Sequence, residues 1–294
     1  MKRRQFMESV VVTGVGASIP YILTGCEPGS SVARRASRGE QSASAASESD
    51  VLVPAHVPLI EALTFRRSDE RGHAERDWLR TKHTFSFARY QDPAHMSFRS
   101  LRVMNEDVIA GGGGFPMHPH RDMEILTYVL DGALEHKDSM GNGSVIRPGE
   151  VQAMSAGTGV KHSEFNPSQS NGVHLLQIWL FPDARNHQPS YAQRVIEPHT
   201  SDEPVRLIAS PDGADGSVVL HQNARIHAVK LKKGEEAYFE VFPSRHAWVQ
   251  LARGGVTLNR DHTLHQGDGV STSQHGGLHF SAASDSEFLI FDLA

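Results

Sequence analysis

The feature that most limits the fold of this chain is a series of short apolar or alternating runs that begins at residue 58. The runs are separated by Gly, Asn, Asp or Pro at intervals of about ten residues, which is typical of β-sandwiches and barrels. Examples are residues 101–104, 125–130, 173–181, 247–251 and 288–293. Few helical stretches interrupt this pattern. The sequence therefore predicts an all-β protein.

Two dipeptides mark tight turns between these runs. Asp131-Gly132 joins the run 125–130 to residues 133–136, and Asn142-Gly143 lies between His136 and Val145. Both dipeptides are favoured in two-residue hairpins, whose central residues both need positive φ. Consecutive antiparallel strands are predicted on either side of each turn.

The chain has 294 residues, enough for one large or two ordinary domains. Residues 182–189 form a polar break bounded by prolines, which predicts one domain over residues 58–185 and a second over 186–294. Residues 147–151 and 264–270 share a turn-then-strand character, each ahead of a group of histidines. This repetition predicts two tandem barrels that arose by duplication.

The N-terminus resembles an export signal. The basic start Lys2-Arg3-Arg4 precedes a weakly apolar segment, residues 10–23, that is too short and glycine-rich for a transmembrane helix. The two arginines resemble a twin-arginine signal, and Leu-Thr-Gly-Cys at 23–26 resembles a bacterial lipobox that would lipidate Cys26. Residues 1–25 are therefore predicted to be a signal peptide.

A Ser/Ala-rich segment, residues 26–57, follows and is predicted to be a flexible tether because it has little apolar area to bury. Together these features predict an exported lipoprotein of the periplasm or cell envelope, held to the membrane by a lipid on Cys26. The alternative is an uncleaved N-terminal anchor helix in which Cys26 has no special role.

The amino-acid composition limits which metal ligands and which partners are plausible. Eighteen histidines accompany one cysteine, so an intramolecular disulfide and a cysteine-built zinc cage are both excluded. The net charge is −5, and the body of the chain has no Lys/Arg stripe, which argues against a nucleic acid partner. Imidazole and carboxylate remain as plausible metal ligands.

Two pairs of such ligands have strand spacing. His118 and His120 are two residues apart, as are His162 and Glu164, and residues two apart in a strand point to the same side. A lone histidine is usually a surface or hydrogen-bonded core residue. If the two strands are neighbours, however, three imidazoles and a carboxylate converge, which suits a divalent first-row metal with one or two open positions.

The same residues carry a family resemblance. The first cupin motif has nearly the spacing of Gly112, His118, His120, Glu124 and Gly132. The tail of the second cupin motif has the spacing of Gly159, His162 and Asn166. Residues 71–93, 118–168 and 284–293 closely resemble the pirin family, and the likeness covers about residues 65–293. It implies two tandem cupin barrels, that is, double-stranded β-helix or jelly-roll folds. Pirins usually begin near Arg66 without an export signal, so this chain departs from the family at its start.

The resemblance places the family's iron site on His118, His120, His162 and Glu164, with Glu164 also the catalytic proton acceptor. Glu124, a ligand position in other cupins, is expected instead to be a hydrogen-bond partner or to orient a ligand histidine. The second barrel has no His-x-His, and His275 and His279 are four residues apart, so one divalent ion per chain is expected. Fe(II) is favoured, with Mn, Ni, Cu and Zn open because this ligand set suits several metals.

The activity implied by the bacterial members is that of a quercetin 2,3-dioxygenase, which takes a flavonol or related catechol and O2. The alternatives are a non-enzymatic iron-binding redox sensor, as described for eukaryotic pirins, and a metal-sequestering envelope protein. An export signal argues against a nuclear role. The protein is expected to be a monomer.

Overall fold

A computed structural model describes residues 57–294. The predicted signal peptide 1–25, the lipidation site Cys26 and nearly all of the predicted tether 26–57 lie outside the described residues. Within the described part, no helix has the length and apolar character needed to cross a membrane.

The regular structure of the described residues consists of 22 β-strands and one short 3₁₀ turn at Ala214–Gly216. The first eleven strands are β1 (Thr64–Arg66), β2 (Gly72–Arg76), β3 (Leu79–His83), β4 (Leu101–Ile109), β5 (Gly114–His120), β6 (Glu124–Asp131), β7 (Leu134–Asp138), β8 (Gly143–Ile146), β9 (Glu150–Ser155), β10 (Val160–Phe165) and β11 (Val173–Leu180). The others are β12 (Ser190–Val195), β13 (Val205–Ser210), β14 (Val218–Val219), β15 (Ala224–Leu231), β16 (Glu236–Val241), β17 (His246–Arg253), β18 (Gly255–Leu258), β19 (His262–His265), β20 (Gly269–Thr272), β21 (Gly276–Ala282) and β22 (Ser286–Leu293).

These strands form two barrels, each made of a seven-stranded and a four-stranded sheet. In the first barrel the strand orders are β12-β9-β6-β11-β4-β3-β2 and β5-β10-β7-β8. In the second they are β1-β20-β17-β22-β15-β13-β14 and β16-β21-β18-β19. Apart from the parallel pair β13–β14, the paired strands are antiparallel. The prediction of an all-β fold with two tandem barrels is confirmed.

Two strands cross the predicted boundary between the barrels. Strand β1, from the start of the predicted first domain, pairs with β20 of the second barrel. Strand β12, from the start of the predicted second domain, pairs with β9 of the first barrel. Apolar packing accounts for both, because Phe65 of β1 packs against the core of the second barrel and Tyr191 of β12 against a core cluster of the first. The two barrels thus exchange edge strands.

The large sheets of the two barrels share one apolar core. Leu126 and Tyr128 of β6 lie in the same buried cluster as Leu289 and Phe291 of β22. Each fully buried side chain of this size contributes roughly 1.5–3 kcal/mol relative to exposure. Because β6 and β11 also bury their other face inside the first barrel, their sequences are mostly apolar on both faces rather than alternating, with Thr127 and Gln177 as buried polar exceptions.

The interiors of the two barrels differ. One continuous apolar cluster fills the second barrel, whereas the first contains only two small ones. Between those two clusters, a row of buried polar side chains crosses the large sheet in register. The row consists of His83, Asn105, Gln177, Thr127 and Gln152. The first barrel therefore has a polar interior into which a site can be built.

Candidate metal centre

Two neighbouring strands of the small sheet bring three histidines together. Strands β5 and β10 are antiparallel, and His162 lies directly opposite His118. The imidazole centroids are 4.8 Å apart for His118 and His120, 4.4 Å for His118 and His162, and 4.8 Å for His120 and His162. The three side chains each offer one nitrogen within 4.8 Å of the others.

The nitrogens of this cluster are free to bind an ion. His118 Nδ1 lies 2.8 Å from the carbonyl oxygen of Pro116, to which it can donate, leaving Nε2 available. The Nε2 atoms of His120 and His162 are buried and have no hydrogen-bond partner among the described residues. A buried polar atom without a partner is unfavourable. A bound cation would remove that penalty, so the donor set fits a metal.

Burial also keeps the imidazoles of His120 and His162 uncharged. It lowers the pKa of His120 to about 4 and that of His162 to about 2, with the neighbouring imidazoles adding to the effect. Both rings are then neutral at pH 7, the state in which histidine binds metals.

Glu164 lies on the other side of His162. The pairing of β10 with β5 shifts register between His162 and Glu164, so Glu164 faces Phe115 rather than Pro116. The residue is only 4% exposed. Its carboxylate lies within 4.8 Å of ligand atoms of His162 and His136, but it does not belong to the cluster that includes His118 and His120. Burial raises its pKa, and the hydrogen bond from Gln177 opposes that effect.

Gln177 and Thr127 hold this carboxylate. Gln177 Nε2 lies 2.8 Å from Oε1 and 3.1 Å from Oε2 of Glu164. Thr127 Oγ1 donates to Gln177 Oε1 at 3.2 Å, which turns the amide nitrogen towards Glu164. Part of the polar row on the large sheet therefore orients a carboxylate on the small sheet.

The sequence did not single out His136, which lies in β7 beside β10. Its side chain is fully buried, with Nδ1 3.5 Å from His162 Nδ1 and Nε2 3.3 Å from Asp138 Oδ2. The local signal was available, because Leu134, His136 and Asp138 alternate on the buried side of β7. A histidine and a carboxylate two apart on a buried strand face match the spacing of His162 and Glu164.

Glu124 takes no part in either group of potential ligands. It is buried where the barrels meet, accepting hydrogen bonds from Ser155 Oγ at 2.6 Å and from the backbone N–H of His221 at 3.2 Å. Of the two roles expected from the sequence, these contacts match that of a hydrogen-bond partner, and among the described residues none of them is to His118, His120 or His162. Because His221 belongs to the second barrel, Glu124 links the two.

Aromatic side chains flank the histidine cluster on two sides. Trp179 lies edge-on to His120 with centroids 4.8 Å apart, and Phe87 lies edge-on to Trp179 at 5.4 Å. On the other side, Phe115 is 6.4 Å from His118 and packs against Trp78 at 5.2 Å. The cluster therefore lies between two apolar walls.

The family models match both barrels. Residues 64–180 match the model described as Pirin, and residues 207–293 match the model described as the quercetinase C-terminal cupin domain. Quercetin 2,3-dioxygenase of Escherichia coli (strain K12) is 46% identical over 228 residues, which cover 78% of this chain and 97% of that relative. The chain belongs to the pirin family.

Solved structures agree with this assignment. The crystal structure of YhhW from Escherichia coli aligns with this pirin at a TM-score of 0.76 and 45% identity, covering 79% of this chain and 98% of YhhW. The structure of bacterial pirin YhhW in complex with nickel(II) aligns at a TM-score of 0.74 and 44% identity, covering 79% and 99%. The pirin resemblance and the fold predicted from it are confirmed.

In this pirin, both groups of potential ligands among the described residues lie in the first barrel. In the second barrel, His279 Nε2 is instead 3.1 Å from Glu236 Oε2, and an apolar cluster fills the interior. The fold therefore provides one polar barrel for chemistry and one apolar barrel that packs against it.

Proposed function

We propose that this pirin is a metal-dependent dioxygenase that cleaves quercetin or a related flavonol or catechol with O2. The observation that carries the proposal is the cluster of His118, His120 and His162, in which two buried Nε2 atoms have no partner among the described residues. The relative named quercetin 2,3-dioxygenase and the nickel complex of bacterial pirin YhhW support it.

His118, His120 and His162 would hold one divalent ion. Glu164, which lies outside their cluster, would become a fourth ligand when its carboxylate turns towards the ion. Fe(II) is our first choice, and Mn, Ni, Cu and Zn suit the same donors. The nickel complex of YhhW supports a divalent metal in general. When bound, such an ion supplies a Lewis acid that lowers the pKa of a nearby hydroxyl.

Glu164 would accept the proton of the flavonol 3-hydroxyl. Gln177 and Thr127 orient its carboxylate, so the acceptor is held in place before the substrate arrives. The ionised flavonol is electron-rich enough to react with O2. Ring opening breaks two carbon–carbon bonds, retains both oxygen atoms of O2 in the products and releases one carbon as carbon monoxide.

The aromatic walls suit a flat substrate. Trp179 and Phe87 on one side and Phe115 on the other are half-buried beside the histidines. Aromatic rings prefer offset-stacked or edge-to-face contacts, each worth about 0.5–1.5 kcal/mol beyond area burial. Met117 is 54% exposed and contributes little to a buried wall.

The direct test is turnover by protein loaded with a single metal. Fe(II)-loaded protein supplied with quercetin should consume O2 and release carbon monoxide in equal amounts, and Glu164→Gln should abolish both. His73→Ala, at an exposed position of β2, is the matched control and should behave as wild type. Retained metal binding without turnover on quercetin or related catechols would reject the dioxygenase and support the redox-sensor alternative.

We further propose that the protein is exported as a monomer and anchored through a lipid on Cys26. The support is the lipobox-like Leu-Thr-Gly-Cys at 23–26 after a twin-arginine-like start. Cys26→Ser should move the protein from the membrane fraction to the soluble fraction. A wild-type protein that is already soluble would contradict the anchor.

A further inference from the structure

A buried imidazole–carboxylate pair stands behind His162, on the side away from His118 and His120. His136 Nδ1 lies 3.5 Å from His162 Nδ1, and His136 Nε2 lies 3.3 Å from Asp138 Oδ2. The side chains of His136 and Asp138 are both fully buried. Three groups therefore form a line from the metal cluster towards the turn after β7.

The hydrogen-bond partners of Asp138 determine which nitrogen of His136 donates and which accepts. Its Oδ1 accepts from the backbone N–H groups of Met140 at 2.9 Å and Asn142 at 3.0 Å, and its Oδ2 accepts from Asn142 Nδ2 at 2.9 Å. A carboxylate can only accept hydrogen bonds. His136 must therefore donate from Nε2, which leaves its Nδ1 as an acceptor.

An accepting Nδ1 on His136 requires a proton on Nδ1 of His162. A neutral imidazole carries only one N–H. His162 Nε2 then has a free lone pair, and this is the buried atom without a hydrogen-bond partner among the described residues. The line of hydrogen bonds thus presents the correct nitrogen to the histidine cluster.

We propose that His136 and Asp138 are positioning residues that fix the tautomer and the ring orientation of His162. This inference rests on the metal centre proposed above. Metal-binding histidines commonly donate their second N–H to a partner that fixes the tautomer and raises ligand basicity. Here the partner is a second imidazole, with a carboxylate behind it.

Tyr191 completes the arrangement from the far side. Its ring is 4.9 Å from that of His136 at an interplanar angle of 31°, and its hydroxyl donates to Gln193 Oε1 at 3.1 Å. Tyr191 and Gln193 belong to β12, the strand that crosses the predicted domain boundary. Strand β12 therefore restricts rotation of the His136 ring.

Asp138→Asn tests the proton direction without removing volume. Two backbone N–H groups hold the amide oxygen at the Oδ1 position, so the amide N–H₂ faces His136 Nε2 and makes it an acceptor. His136 then donates from Nδ1 to His162, which places the His162 proton on Nε2, where the ion would bind. The half-buried Asn142 side chain can turn away from the new amide. We expect a 10- to 100-fold loss of Ni(II) affinity.

His136→Phe is a second variant, which fills the same space and removes the acceptor, and it should also weaken Ni(II) binding. His174→Gln is the matched control, because it removes another imidazole–carboxylate pair, with Glu106, outside the cluster. Ni(II) affinity is measured by competition with a chelating dye on the full chain, and the thermal unfolding of the metal-free forms checks that each variant is folded.

The tautomer of His162 can be observed directly by ¹⁵N NMR of histidine in the metal-free protein. The expected result is a proton on Nδ1 of His162 in the wild type and on Nε2 in Asp138→Asn. A proton on Nε2 of wild-type His162, or wild-type Ni(II) affinity in a folded Asp138→Asn, would overturn the inference while leaving the metal centre intact. A wild type that binds no Ni(II) would instead overturn the metal centre itself.

Discussion

Gln177 donates its side-chain N–H₂ group to both carboxylate oxygens of Glu164, at 2.8 and 3.1 Å. The two residues lie on opposite sheets of the first barrel, so this contact crosses the interior at the level of the histidine cluster. It connects the polar row of the large sheet to the candidate metal ligands of the small one.

Gln177→Leu should therefore destabilise the metal-free protein by about 1–3 kcal/mol, because a buried carboxylate loses its donor. The same change raises the pKa of Glu164 further, since the hydrogen bond that opposes the effect of burial is gone. Denaturant unfolding measures the first effect. The matched control is Gln152→Leu in the same polar row, whose Nε2 has no partner among the described residues and whose loss should cost little. Equal effects of the two variants would contradict the role given to Gln177.

His120→Ala should lower metal affinity by more than about 100-fold, because a ligand is lost rather than a supporting contact. The apo protein should keep its fold, since the half-buried ring makes no hydrogen bond through Nε2. Elemental analysis after metal loading and thermal unfolding of the apo form measure the two quantities. The exposed His73→Ala variant controls for the loss of an imidazole. Full metal content in His120→Ala would remove this residue from the ligand set.

The free energy of unfolding should fall in acid because Glu106 becomes protonated. Burial alone would raise the pKa of this carboxyl, but the hydrogen bond from His174 and the charge of Arg71, 2.8 Å away, hold it at about 2. A depressed folded-state pKa means that the stabilisation is complete above the ordinary value of 4.5 and is lost as pH falls towards 2. The contribution is of the order of 3 kcal/mol.

The free energy of unfolding of the wild type, measured from about pH 6 down to about pH 2, should fall by this amount. Glu106→Gln should be less stable than wild type at neutral pH and should lack this part of the acid dependence. Glu75→Gln, at an exposed position of β2, should leave the profile unchanged. A Glu106→Gln profile parallel to that of wild type would contradict the assignment.

Trp248→Ala should destabilise both barrels together. Trp248 belongs to the second barrel, and its ring lies 5.0 Å from Phe85 and 5.8 Å from Phe98 of the segment between β3 and β4. Truncating a buried aromatic residue costs about 3–5 kcal/mol. Calorimetry should show one transition, shifted to lower temperature, because the shared core and the exchanged strands couple the barrels. Phe242→Ala, at a 57% exposed position, is the control. Two separate transitions would refute this coupling.

The two-residue periodicity of the sequence was enough to predict the strands and the side on which the candidate ligands lie. Alternation places His118 and His120 on one side of β5 and His162 and Glu164 on one side of β10, and the turn dipeptides separate the neighbouring strands. The pirin resemblance then supplied the pairing of β5 with β10 that brings the three imidazoles together.

The remaining features depend on contacts between residues far apart in the chain. The role of His136 requires that β7 pair with the other edge of β10, which no local pattern specifies. The register shift that moves Glu164 away from His118 and His120 is likewise invisible to a strict two-residue repeat. Strands β1 and β12 pair across the predicted boundary because Phe65 packs against apolar residues of the second barrel and Tyr191 against those of the first.

Anomalous diffraction at the nickel edge from crystals of the Ni(II)-loaded protein would locate the ion itself. We expect one strong peak inside the first barrel, about 2.0–2.2 Å from an imidazole nitrogen of each of His118, His120 and His162. A peak on other residues, or none after loading, would show that these three histidines do not hold the ion.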